Sequence, residues 1–316
     1  MAKEIKRIAL IGSGLMSRGI GMLFAQHGYD VKLFYLEGID DIDVARGVIE
    51  ENLNFLADNE LVVRENIPEI LSHISFTSSL EEAGKFGDLV IEALIEKLEV
   101  KQEYFEKLDS ICSVDTIITS NTSVISITEI ASRCTHKERI LGTHFWNPAY
   151  LIPLVEVVRT VDVSDDTVTK TCNILRSVNK QPIVVKKDVP GFLANRLQHA
   201  LVREAFAIVE DGVADPKDVD DAIKYGFGLR LPYCGPFEQA DSNGMDLTLN
   251  IQNYIYKYLD NRREPTEYIK NKVAEGRFGF KTGGHGAFDW TEEEMAEFRK
   301  NSVDNLVKIC KVMNVL

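Results

Sequence analysis

The sequence predicts an α/β chain: a doubly wound, mostly parallel sheet first, then an all-α domain. Three observations predict it. Short apolar runs alternate with helical patterns through residues 1–187. Most of these runs are nearly continuous, as expected of strands covered by helices on both faces. From Asp188 onward the strand pattern stops, and only amphipathic helical patterns remain.

Strands are expected at Arg7–Ile11, Asp30–Tyr35, Asp88–Leu94, Thr116–Ser120, Ile140–Phe145, Leu154–Val158 and Pro182–Lys186. A helical insertion at about Asp43–Leu71 separates the second from the third, with Asn66-Ile67-Pro68 as a turn between two helices. Ser79-x-x-Glu82 and Ser126-x-x-Glu129 have the form of capping boxes. The character changes at Lys187–Gly191. Phe192–Asp211 is a long amphipathic pattern ended by Gly212. Asp215-Pro216 supplies an N-cap and a proline for a first helical position, and Thr291-x-x-Glu294 opens a last helix. The expected domains are therefore 1–187 and 188–316. There is no internal repeat and no low-complexity tract.

The 316 residues suffice for two domains with sizeable cores. Apolar content is 45% and charged content 27%, ordinary for a globular protein. Lysine and arginine number 36 against 49 acids, a net charge of −13. That argues against nucleic acid and anionic membranes as main partners and leaves a small-molecule substrate. Cys112, Cys134, Cys172, Cys234 and Cys310 are scattered and odd in number, with no C-x-x-C pair. Neither a disulfide framework nor a metal site is expected, and a reducing, cytoplasmic location fits. Met1–Arg7 runs straight into a strand-like segment, so no signal peptide is expected. No apolar run approaches the roughly 18 residues of a membrane span.

Gly12-Ser13-Gly14 follows the first apolar run and precedes a helical pattern. Strand, glycine turn and helix in that order form a Rossmann-like dinucleotide site. The first glycine allows the tight turn, and the second lets the backbone approach a pyrophosphate at the helix N-terminus. Ser17 stands at the third glycine position and is small enough to preserve close packing. The second strand normally ends in an acid that bonds the adenine ribose. Here that position is Tyr35, and the nearest acid is Glu37. Glu37–Asp43 holds acids and no base, so a 2′-phosphate would be repelled and NAD is favoured over NADP.

His144 closes the apolar run Ile140–Phe145, at the strand end where open α/β sheets bind ligands. Glu156 lies on the next apolar run, an odd place for a carboxylate unless it has a partner. An imidazole is a natural one. The carboxylate would set its tautomer and stabilise its charged form, as a proton-accepting histidine requires. Each residue alone reads as structural: a histidine at a strand end, a glutamate facing solvent from an edge strand.

Several blocks occur in an order that matches a known family. They are Gly12–Gly19, Glu92–Glu96, Ser120–Ser123, His144–Pro148, Leu154–Glu156, Pro190–Arg196, Gly235–Glu238 and Phe278–Gly283. The chain resembles the L-3-hydroxyacyl-CoA dehydrogenases, including the bacterial 3-hydroxybutyryl-CoA dehydrogenases. The resemblance implies His144 as the base that takes the hydroxyl proton, held by Glu156. It implies Ser123 and Asn195 as hydrogen-bond donors to the substrate. Gly12, Gly14, Leu15, Met16, Glu37, Glu96, Lys101, Asn147 and Lys281 would line the NAD site. It also implies a homodimer assembled through the helical domain.

The segment Asn147–Pro153 departs from the valine–proline–methionine–lysine run usual before the glutamate. It is similar instead to the branch with gulonate dehydrogenase (lens λ-crystallin), carnitine dehydrogenase and a pyridoxine-degradation dehydrogenase. Gly283–Ala287 and the Thr291–Leu316 tail lean the same way, and Val124 stands where many relatives keep a second serine. The leading reading is NAD-dependent oxidation of a short-chain L-3-hydroxyacyl-CoA. The alternative is a free β-hydroxy acid such as L-gulonate or carnitine. A thioester would need bases to grip phosphates (Arg64, Lys97 and Lys101). A free acid would need one base such as Arg196 or Arg230. A non-catalytic NAD-binding structural protein is a third reading, and the presence of His144, Glu156, Ser123 and Asn195 together disfavours it.

Overall fold

The computed structural model describes residues Ile5–Val315. Met1–Glu4, read above as a start without a signal peptide, and Leu316 lie outside the described residues. The chain runs β1 (Arg7–Ile11), α1 (Leu15–Gln26), β2 (Asp30–Phe34), α2 (Ile42–Asp58), α3 (Ile67–Ser72) and β3 (Ile74–Thr77). It continues through α4 (Leu80–Phe86), β4 (Leu89–Glu92), α5 (Leu98–Ile111), β5 (Ile117–Ser120), α6 (Ile127–Ile130) and β6 (Ile140–Phe145). Then come β7 (Leu154–Val158), α7 (Asp165–Ser177) and β8 (Gln181–Val185).

These strands form one sheet of order β3-β2-β1-β4-β5-β6-β7-β8. All neighbours are parallel except β6 and β7. The chain reverses direction across the sheet between β1 and β4, the kind of switch point where such sheets hold ligands. The antiparallel step has a simple cause. Only residues 146–153 join β6 to β7, too few for the crossover a parallel pair needs. The core is aliphatic, with Ile8, Leu10, Ile11, Val90, Ile91, Ile118, Leu141 and Val157 fully buried.

The sequence pattern does not announce β3. It is a four-residue edge strand in which Ile74 and Phe76 alternate with Ser75 and Thr77. An edge strand shares one side with solvent, so it lacks the continuous apolar run that marks the interior strands. Asn66-Ile67-Pro68 is the start of α3, with the proline in its first turn, preceded by a 3-10 turn at Arg64–Asn66. Ser79 and Ser126 cap α4 and α6 by accepting from the amides of Glu82 and Glu129. The Glu82 side chain does not complete a box, because it binds Lys32 and the Thr77 hydroxyl instead.

The chain divides into two compact units. One runs to Asn195 and resumes at Val307; the other is Arg196–Leu306. The division falls past the expected boundary at residue 188, and hydrogen bonds explain why. Asp188 accepts from the Ser126 hydroxyl at 2.7 Å and the Thr128 amide at 2.8 Å. The amides of Leu193 and Ala194 donate to Glu156, each at 2.9 Å. Near the chain's end, Lys311 donates to the Asn59 carbonyl at 2.7 Å.

Downstream lie α8 (Ala194–Glu210), α9 (Pro216–Tyr225), α10 (Pro236–Asn243), α11 (Met245–Ile255), α12 (Glu267–Ala274) and α13 (Glu292–Val312). Thr291 and Glu294 make a complete capping box at the start of α13. In the second unit Arg262 braces Glu210 and Asp260. Among the described residues its buried apolar side chains are only Ala207 and Met295. Phe237 is 82% exposed and Tyr233 78%, and Leu229, Leu249 and Ile251 are more than half exposed. No described helix is long and apolar enough to cross a membrane.

Candidate active site

The turn after β1 shows why glycine stands at residue 12. Its φ is +120°, which side-chain-bearing residues rarely adopt, and its amide donates to the Phe34 carbonyl at 3.0 Å. A Cβ there would lie 3.0 Å from the Ala93 carbonyl oxygen. Gly14 is the N-cap of α1, with no side-chain cap and open space where a Cβ would be. The first amides of a twelve-residue helix therefore stand uncapped. Leu15 is exposed and Met16 half-buried beside them. Ser17 is fully buried, and its hydroxyl has no partner among the described residues. Close packing of α1 on the sheet comes at Gly21, where a Cβ would sit 3.3 Å from Val31. An uncapped helix start behind a glycine turn, with an unsatisfied hydroxyl just inside, fits a dinucleotide pyrophosphate.

Past the end of β2, Tyr35, Glu37, Asp40 and Arg46 line an open depression. Asp40 is committed to its own loop, accepting from the Leu36 amide at 2.8 Å. Glu37 is exposed. Arg46, which lies on α2 beyond the acidic stretch, packs its guanidinium over Phe76. The sequence reading of Glu37–Asp43 stopped short of this base.

The next strand ends carry a buried charge network. Glu92, at the end of β4, is fully buried and accepts from Lys101 at 2.8 Å, Ser120 at 2.6 Å and the Leu94 amide at 2.6 Å. Lys101 on α5 is 1% exposed and also reaches Glu96 at 3.2 Å. Glu96 in turn accepts from the Thr122 hydroxyl and from the amides of Ser123 and Val124. Burial pushes the Glu96 carboxyl up, but Thr122 and Lys101 outweigh it, so it lies below the usual carboxylate range. Lys101 thus braces Glu96 and the Thr122–Val124 turn from inside. Glu92 was missed by sequence reading; its signal is an acid closing the run Leu89–Ile91.

His144 and Glu156 are directly opposed across the antiparallel pair of β6 and β7. The Nδ1 of His144 lies 2.7 Å from Glu156 Oε2. His144 is 4% exposed and Glu156 is fully buried. The other carboxylate oxygen accepts from the Leu193 and Ala194 amides, and Trp146 Nε1 donates to Oε2 at 3.4 Å. Burial raises the Glu156 carboxyl, and the hydrogen bonds from His144, Ala194 and Leu193 more than reverse it, leaving it lowered. Trp146 and Phe192 flank the imidazole at 5.4 and 5.7 Å between ring centroids. With Nδ1 held by a carboxylate, Nε2 is the ring nitrogen left to act outward.

Asn195 donates through Nδ2 to the Ser123 carbonyl at 3.0 Å, and the Ser123 side chain is exposed. Asn147 is exposed in the loop after β6. Lys281 belongs to the second unit, exposed on the turn Phe280–Thr282.

Residues 7–189 match the family described as 3-hydroxyacyl-CoA dehydrogenase, NAD binding domain, and residues 191–289 match its C-terminal domain. The chain belongs to the 3-hydroxyacyl-CoA dehydrogenase family. It is an NAD-dependent oxidoreductase acting on CH–OH groups. Within and around this family, the chain is 36% identical over 278 residues to the 3-hydroxybutyryl-CoA dehydrogenase of Clostridioides difficile, covering 87% of this chain and 96% of that one. It is 32% identical over 313 residues to the 5-formyl-3-hydroxy-2-methylpyridine 4-carboxylate 5-dehydrogenase of Mesorhizobium japonicum, covering 98% of each. A solved structure of such a pyridine carboxylate dehydrogenase, described as an NAD+ dependent dismutase, matches with a TM-score of 0.90 at 31% identity, over 98% of this chain and 99% of its own. The (S)-3-hydroxybutyryl-CoA dehydrogenase of Ralstonia eutropha matches at 0.76 and 30% identity, over 92% of this chain and all of its own.

Proposed function

We propose that the chain oxidises a short-chain L-3-hydroxyacyl-CoA to the 3-ketoacyl-CoA, with His144 as proton acceptor. The observation that carries this reading is the buried pairing of His144 Nδ1 with Glu156 at 2.7 Å. Bound NAD supplies the hydride acceptor. The chain's own residues handle the proton: Nε2 takes it from the substrate hydroxyl and returns it in the reverse direction. Glu156 is held ionised by the amides of Leu193 and Ala194, so it stabilises the imidazolium rather than taking the proton itself. In this reading the Ser123 hydroxyl and the second N–H of Asn195 donate to the substrate oxygen. Glu96 and Asn147 would face the nicotinamide side, with Lys101 acting through Glu96. Lys281 is proposed as a cofactor-binding residue.

A second reading, a free hydroxy acid or a ring carboxylate, rests on two observations. Of the bases expected to grip CoA phosphates, Lys101 is buried and Arg64 is paired with Asp58 and Asn54. That leaves Lys97. The strongest structural match quoted above is to an enzyme of a pyridine carboxylate. Rates with NAD on 3-hydroxybutyryl-CoA, L-gulonate, carnitine and a hydroxymethyl pyridine carboxylate test the choice. Turnover on the thioester at least tenfold above the others is expected; turnover on a free acid alone replaces the first reading with the second.

We also propose a homodimer joined through the second unit. Its aromatic and aliphatic side chains are exposed in numbers that a monomer rarely tolerates.

A further inference from the structure

Behind the loop joining β6 to β7, the first unit holds a pocket of about 270 Å³ that opens to solvent past Val63 and Asn66. Its walls include Leu23, Leu56, Ile70 and Val178, all buried. Lys180, from the turn before β8, also lines it. Lys180 is 6% exposed, and its ammonium donates to the Ile152 carbonyl at 2.9 Å. Among the described residues no aspartate or glutamate lines the cavity, in a chain with 49 acids. Gln26 lines it too, and its amide nitrogen is buried without a partner among the described residues.

Lys101 offers the contrast. It is equally buried, yet it has Glu92 at 2.8 Å and Glu96 at 3.2 Å. A buried ammonium without a counter-ion is costly. Burial lowers Lys180 to about 8. Burial also raises the Cys310 thiol, so it brings no negative charge near pH 7.

We propose that this cavity is a second ligand site, taking a small carboxylate with a short aliphatic tail. The carboxylate supplies the counter-ion that Lys180 lacks among the described residues and accepts from Gln26. The tail lies on the leucine, isoleucine and valine walls. A neutral alcohol would leave the ammonium unpaired. The site does not depend on which hydroxyl substrate the enzyme takes, because neither Lys180 nor Gln26 belongs to the His144–Glu156 cluster.

Calorimetric titration of the NAD-loaded protein with hexanoate and with hexanol tests this. Hexanoate is expected to bind and hexanol to bind far more weakly. Lys180→Met should weaken hexanoate roughly ten- to hundredfold, the effect of losing a hydrogen-bonded charge, while NAD-dependent turnover stays at the parent level. Gln26→Leu should weaken it less. No hexanoate binding at millimolar concentration, or binding unchanged by Lys180→Met, overturns the proposal. Should Lys180→Met fail to fold, the parent decides: hexanoate must protect Lys180 from an amine-specific reagent in peptide mapping. Unprotected labelling overturns the site.

Discussion

His144 and Glu156 show how much two residues draw from their surroundings. A glutamate on an apolar strand calls for a partner such as the imidazole, and the antiparallel register sets the two directly opposite each other. Its remaining oxygen is then filled by backbone amides nearly forty residues further along the chain. Under the proposed mechanism, His144→Gln lowers kcat by roughly 10²–10⁴-fold, the worth of acid–base assistance, while NADH affinity in a fluorescence titration stays at the parent value. An unchanged kcat would remove His144 from proton transfer. Glu156→Gln should cost less in kcat and alter its pH profile. It also has a stability signature. A carboxyl lowered by folding adds stability that is fully present above its unfolded value, about 4.3, and is lost as pH falls through the lower folded value. The difference in Tm between parent and Glu156→Gln should therefore shrink as pH drops below about 4.3. A difference constant across that range contradicts the hydrogen-bonded carboxylate.

At the scale of elements, the glycine turn and the strand ends do most of the positioning. Gly12 combines a positive φ with a backbone oxygen where a Cβ would go. Gly12→Ala should cost about 1–3 kcal/mol in urea unfolding and weaken NADH; parent-like values for both would show the turn to be adaptable. Lys101→Met leaves Glu92 buried and unpaired, so a loss of about 3–5 kcal/mol is expected, measured the same way. A loss under about 1 kcal/mol, the value of a surface pair, would mean that water reaches Glu92. Most strands were legible because both faces of an interior strand are apolar. β3 was not, since its alternating Ile74–Thr77 lies at the edge. Glu92 was not either, because nothing local tells an acid at a strand end that faces solvent from one that meets a lysine on the following helix.

For the whole molecule, the second unit poses the main physical question. Its helices were legible from Asp215-Pro216 and from the Thr291–Glu294 box, yet they bury little apolar surface within one chain. Analytical ultracentrifugation should give a particle of about twice 35.6 kDa at micromolar concentration. A monomer that stays folded would reject the proposed dimer. The strand–helix alternation, the glycine turn, the candidate proton acceptor and the family are all readable from the residues alone, because they rest on local periodicity and on residue order. Only the fold supplied the antiparallel register that sets Glu156 opposite His144, the bracing of Glu96 by Lys101 from within, and the burial of Lys180 with no counter-ion among the described residues. Pairing between charges depends on which strands and helices come to lie side by side, and no local pattern encodes that.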